Sequence, residues 1–185
     1  MLTDDRLFIY RIDAEDRITL VNREWLDFAR ENAAPELVPE HLLGEPLERF
    51  IADWPTRHLY EIVYQRVRQA GRKVRLPFRC DSPDRRRAFQ MTIAPLEQGG
   101  LEFTVRVVGI EPSPKRPVLD RSVKHSTEVA VICSWCKRLR VGADRWAEIE
   151  EAVAEEELFG ADPPSLTHDV CPACLATIRD QLEAR

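Results

Sequence analysis

Two stretches of the chain carry paired thiols at a spacing that metal sites use. "VICSWCKRLR" sets Cys133 and Cys136 two residues apart, and "THDVCPACL" does the same for Cys171 and Cys174, with His168 three positions upstream. A CxxC turn lets two sulfurs reach one ion. Two such turns supply the four ligands of a tetrahedral structural zinc, whose Zn–S bonds are about 2.3 Å. Cys133, Cys136, Cys171 and Cys174 are therefore the expected ligands of a structural Zn2+. His168 is a fifth candidate for four places, either as an alternative ligand or as a donor and loop anchor behind the cysteines. Two other chemistries use the same residues. "CPAC" resembles the dithiol of thioredoxin-like enzymes, but that dithiol occurs as a single pair after a strand, and no clear strand precedes Cys171. Four thiolates can also hold an iron–sulfur cluster. Neither pair is followed by the histidine that covalent haem attachment needs.

These cysteines need elements to bring them together. "VAVICSW" reads as a strand running into the first pair. "DRWAEIEEAVAEEEL" reads as a helix capped by Asp144, with Trp146, Ile149 and Val153 on one face. Pro172 stands where the first residue of a closing helix belongs, and Leu175, Ile178 and Leu182 recur at helical spacing. The start of that helix would stabilise the thiolates of Cys171 and Cys174. Residues 128–185 have a thin apolar core, and a structural zinc supplies roughly 10–16 kcal/mol of apparent binding energy to such a segment. With twelve acidic residues against six basic ones, the segment disfavours nucleic acid and favours a protein partner.

Upstream, "EPSPKRPVLDRSVKHST" has three prolines and no periodic hydrophobicity, which divides the chain into 1–111, a linker at 112–127, and 128–185, with two cores expected to fold largely independently. In the first part, "LFIYRIDAEDRITLVN" alternates as two strands around an acidic turn. "REWLDFARENA" reads as a helix, "EPLERFIADW" as a short helix after Gly44, and "TRHLYEIVYQRVRQAG" as a long helix ending at Gly71. "KVRLPFRC", "RRAFQMTIAPL" and "LEFTVRVVGI" follow as a three-stranded meander. The order predicts an α+β fold, one antiparallel sheet with helices on one face, followed by a small zinc-stapled α/β module.

"RIDAEDRITLVNREWLDFARENA" and "LLGEPLERFI" resemble the opening of a PAS domain, a likeness that covers residues 5–111. The resemblance implies a pocket between sheet and helices, able to take a small molecule, in a sensory or protein-interaction module. It offers neither haem nor flavin a convincing place. The flavin-linking cysteine motif is absent, His58 reads as a surface residue near a helix start, and Cys80 reads as a small buried hydrophobe on a strand. Trp25, Phe28, Phe50, Phe78 and Phe89 read as core. The cysteine fragment is also similar to short tails attached to bacterial signalling proteins. Arg72, Lys73, Arg75, Arg79, Arg85, Arg86 and Arg87 form a basic cluster, read either as a site for an anionic ligand or acidic partner or as a solvated sheet edge.

The chain carries 44% hydrophobic and 32% charged residues with a formal net charge of −5, which gives no electrostatic case for nucleic acid. No run approaches the ~20 apolar residues of a membrane helix, and "MLTDDRLFIYRID" lacks the pattern of a signal peptide, so a cytoplasmic protein is expected. No phosphate-binding loop, kinase signature or nucleophile–base pair is visible. The sequence thus predicts a non-catalytic bacterial sensor or adaptor acting through a protein partner or a homodimer. A thiol–disulfide enzyme or redox sensor is the alternative.

Overall fold

Strands β1 (Leu7–Ile12) and β2 (Ile18–Val21) pair antiparallel across the acidic turn, where Asp16 takes a φ of 60°. Aspartate tolerates that region better than most residues. The preceding Asp13 carboxylate fixes the turn by accepting the N–H groups of Glu15 and Arg17. The computed structural model describes residues 4–156 and 162–184. Helix α1 (Arg23–Glu31) starts at Asn22, whose side-chain oxygen accepts the N–H of Trp25 and that of Ile9, both at 3.0 Å. One side chain therefore caps the helix and ties it to β1. Helix α2 (Pro39–Leu42) and a 3-10 turn at Leu47–Phe50 lead into α3 (Trp54–Ala70). Gly71 ends α3 in the left-handed conformation, φ 60° and ψ 22°, as its position in the sequence predicts.

Strands β3 (Val74–Arg79), β4 (Arg85–Pro95) and β5 (Leu101–Pro112) complete a five-stranded antiparallel sheet in the order β2-β1-β5-β4-β3. Alternate residues of the strands, among them Leu76, Met91, Ile93 and Phe103, meet Leu59, Val63 and Val67 of α3 in one core. The fold is α+β, as the element order predicts. Phe89 is buried in this core, but Phe50 is 38% exposed, which corrects its reading as core. Cys80 lies one residue beyond β3 and is half-buried beside it.

The second part begins with β6 (Val129–Cys133), followed by β7 (Leu139–Val141), β8 (Arg145–Ala147), α4 (Ile149–Glu156), β9 (Ser165–Asp169) and α5 (Pro172–Glu183). Its sheet runs β8-β7-β6-β9, with β9 parallel to β6. Two expectations change here. Trp146 belongs to a strand, because Arg145–Ala147 pairs with β7 and an aromatic residue suits a pleated surface. The helix starts only at Ile149. It buries Ile149 and Ala152 and leaves Val153 39% exposed, and Asp144 sits in the turn before β8 rather than at a cap. The expected continuation through Glu157 and Leu158 lies outside the described residues. In addition, a strand does precede the second cysteine pair. "SLTHD" has one large apolar residue, so only its pairing to β6 reveals it.

The stretch at 112–127 is packed rather than bare. Val118 is buried with Ile132, Leu139 and Ile149, and the Arg116 side chain is 2% exposed. Beside that cluster of the second part's own, Cys133, Trp135, Val170, Cys171 and Ile178 join Leu59, Val63 and Leu76 of the first part in a shared core. Among the described residues, no helix is long and apolar enough to cross a membrane.

Candidate metal centre

The first cysteine pair is shaped by a tight turn at the end of β6. Lys137 donates its N–H back to the carbonyl of Cys133 at 3.0 Å and adopts a φ of 63°. The second pair is shaped by a helix start. Cys171 is the N-cap of α5, and Pro172 occupies the next position, where a missing N–H leaves no bond unmade. Parallel pairing sets Cys133 opposite Asp169, and the Ser134 N–H reaches the Asp169 carbonyl at 2.8 Å. This register carries the two pairs together. The four Sγ atoms lie within 4.8 Å of one another, with Cys136 and Cys171 3.7 Å apart. A tetrahedron with bonds of about 2.3 Å has edges of about 3.8 Å, so the donor set matches a zinc-sized ion. Cys133 and Cys171 are buried, and Cys136 and Cys174 are half-buried.

Four thiols this close cannot all ionise without a cation. Hydrogen bonds from Cys136 and Cys174, helped by the Cys171 N–H at 3.4 Å, hold Cys133 far below the usual thiol range. The same contact with Cys133 pushes Cys136 up to about 12 and Cys174 higher still. The group alone thus supports one favoured thiolate. A divalent cation removes the conflict, since it favours the ionised form of every ligand.

The turn between the first two cysteines does a second job. Trp135 is 5% exposed, and its indole N–H donates to the Pro77 carbonyl at 2.6 Å. Its ring lies 5.6 Å from that of Tyr60 and 6.3 Å from that of Phe78, centroid to centroid. The Trp135 carbonyl accepts the N–H of Arg79, and the Ser134 hydroxyl bonds that of Thr56. The cysteine turn is therefore docked on the end of β3 and on α3. His168 is turned to the same neighbour. Its Nδ1 lies 2.7 Å from Asp53 Oδ2, which also accepts the His168 N–H at 3.1 Å. The residues gathered into a metal-sized group are the four cysteines, without His168.

Most of the basic cluster has partners within the chain. Arg79 pairs with Asp81 and with Glu148 at 2.7 Å, and Arg86 pairs with Glu150 at 2.7 Å. Arg87 donates to Asn32 at 2.7 Å and lies over the Phe28 ring. Arg72 donates to the Leu182 carbonyl, and Arg85 lies 3.8 Å from Asp84. Arg86 and, beside Asp81, Arg79 thus find acidic partners in the chain's own second part. His58 is a surface residue stacked on Trp54. Sequence reasoning passed over Asp53, Trp135, Glu148 and Glu150. A large aromatic inside "CSWC", where a turn would expose it, was the available signal for Trp135.

No family model matches the chain, and no curated protein matches it. Among solved structures, the chain is similar to the crystal structure of a domain of an HTR-like protein from Haloarcula marismortui ATCC 43049. The match has 16% identity and a TM-score of 0.40 and covers 56% of this chain and 98% of that one. Function must therefore be read from the chain's own geometry.

Proposed function

We propose that the chain is a non-catalytic signalling or adaptor protein, in which a PAS-like sensory unit is joined to a zinc-stapled module that contacts a protein partner. The observation that carries the reading is the placement of the cysteine turn, since Cys133 and Cys136 bracket the Ser134–Trp135 step that docks on the other unit. Zinc held by Cys133, Cys136, Cys171 and Cys174 would fix that step in place. A cavity of about 200 Å3 between sheet and helices, walled by Tyr10, Trp25, Phe28, Tyr60 and Phe89, supports the sensory half of the reading. Tyr60 and Phe78 line this cavity and touch Trp135, so the metal site and the cavity share a wall.

The test is native mass spectrometry of reduced protein purified without chelator, with thiol alkylation in parallel. One zinc per chain and four protected thiols are expected. The second reading, thiol–disulfide exchange, gains from β9, which places CPAC between a strand and a helix. Metal-free protein with one fast-reacting cysteine would establish that reading instead.

A further inference from the structure

Helices α3 and α5 run side by side in the same direction. Asp53, at the start of α3, bonds His168 shortly before α5, and Arg72, just past the end of α3, donates to the Leu182 carbonyl near the end of α5 at 2.8 Å. Between the two helices lies an open groove of about 490 Å3. Leu59 and Ile178, both buried, form its floor. Its rims are apolar as well, since Ile62 of α3 is 39% exposed and Leu175 of α5 is 45% exposed. One helix comes from each part of the chain, and both ends of the pair are pinned, so the groove is formed before any partner arrives.

The banks carry positive charge. Arg66 of α3 and Arg179 of α5 stand exposed on opposite sides. Neither has an acidic partner among the described residues, in contrast to Arg79 and Arg86 at the joint. Arg72 stands at the groove's end, and the lining holds one carboxylate, that of Glu183. Apolar side chains left wet between two unpaired arginines suit a partner that is apolar along its middle and acidic along its flanks. A second copy docked groove to groove would set these arginines against themselves, because a two-fold contact uses the same patch twice. The twelve residues of α5 span about 18 Å, the length of roughly three turns of a partner helix.

We propose that this groove receives an acidic amphipathic helix of a protein partner. Its apolar residues, spaced by three and four, fill the space between Ile62 and Leu175, and its flanking Asp or Glu side chains pair with Arg66 and Arg179. This rests on the partner-binding half of the function proposed above and names the surface and the partner's chemistry.

The probe is a crosslinked helical peptide of about three turns, with leucine at every third or fourth position and glutamate on both flanks. A twin carries lysine in place of each glutamate. Both are titrated into the full chain by fluorescence anisotropy and amide NMR, with metal content read on the same samples by native mass spectrometry. The acidic peptide should bind at roughly tens of micromolar or tighter, weaken with added salt, and shift amides of α3 around Ile62 and Arg66 and of α5 around Leu175 and Arg179. The twin should bind roughly tenfold more weakly. Arg66→Glu with Arg179→Glu, both surface changes, should reverse that preference, which an unfolded chain would not do. Ile62→Asn should weaken both peptides roughly tenfold.

Equal binding of the two peptides, shifts confined to other elements, no binding in the millimolar range, or an unchanged preference in the double variant overturns the proposal. Self-association of the chain that Ile62→Asn abolishes would give the groove to a second copy and overturns it too. Zinc-loaded protein that ignores the acidic peptide would refute the groove and leave the zinc-stapled adaptor standing. Metal-free protein that binds it would refute the zinc reading alone.

Discussion

Asp81 has no exposed side-chain surface, yet it sits between two arginines. Burial works against its ionisation. The Arg79 hydrogen bond and charge, the Arg87 N–H at 3.1 Å and Arg116 at 2.9 Å outweigh that and hold its carboxyl below the usual range. A carboxylate depressed in the folded state contributes stability above its ordinary pKa, near 3.9, and that stability is lost as pH falls through the folded value. Glu148 is depressed as well, against its burial, by Arg79 and Arg138, and acts in the same direction. Urea unfolding should therefore show a stability decline below about pH 4. Asp81→Asn should cost about 3–5 kcal/mol at neutral pH, because Arg116 keeps a buried charge without its partner, and should blunt the acid decline. An unchanged acid limb in that variant would show that Asp81 is not its source. At the metal site, His168→Ala should keep one zinc per chain and cost about 1 kcal/mol of stability through the lost Asp53 contact. Loss of zinc from that variant would reinstate histidine as a ligand.

Between elements, the joint is made by charge as well as by Trp135. Arg79 on β3 and Arg86 on β4 reach Glu148 and Glu150 at the start of α4. Arg86→Glu should loosen the joint by about 1 kcal/mol, and adding Glu150→Arg should recover part of the loss. Additive losses in the double variant would mean the pair is not coupled. These contacts also show what the sequence could and could not reveal. Strands β4 and β5, α3 and its glycine stop were legible because period 2 and period 3.6 patterns are long there, and β1 and β2 because alternating apolar residues flank an acidic turn. The four cysteines were legible through spacing alone. By contrast, β8 and β9 are three and five residues long, and neighbours in space rather than local pattern define them. The basic cluster was only partly legible because, beyond the local Asp81 and Asp84, its counter-charges Glu148 and Glu150 lie more than sixty residues away.

The metal-sized site is built into the buried cluster that both parts of the molecule share. Cys133 and Cys171 belong to the same buried cluster as Leu59 and Leu76, and α5 packs on α3 and β3. Chelation should therefore do more than unravel the second part. Hydrogen-exchange protection should vanish in β6, β9 and α5 and also weaken in β3 and around Leu59–Val63 of α3. It should persist in β1 and β5, which pair from Leu7 to Ile12 without any contribution from the second part. Protection retained throughout β3 and α3 would restore the picture of two independent cores.

Trp135 gives the chain an optical consequence. Its indole is dry, packed at an angle against two aromatic rings and bracketed by two thiols, while Trp54 is 71% exposed and supplies a constant long-wavelength background. Removing the ion should free the turn, hydrate the Trp135 indole and move the emission maximum to the red. Trp135→Phe should shrink the change to what half-buried Trp146 contributes and leave the Trp54 background in place. Intrinsic fluorescence would then report occupancy of the cysteine site in real time, without a label, because the sequence places its reporter between two of the expected ligands.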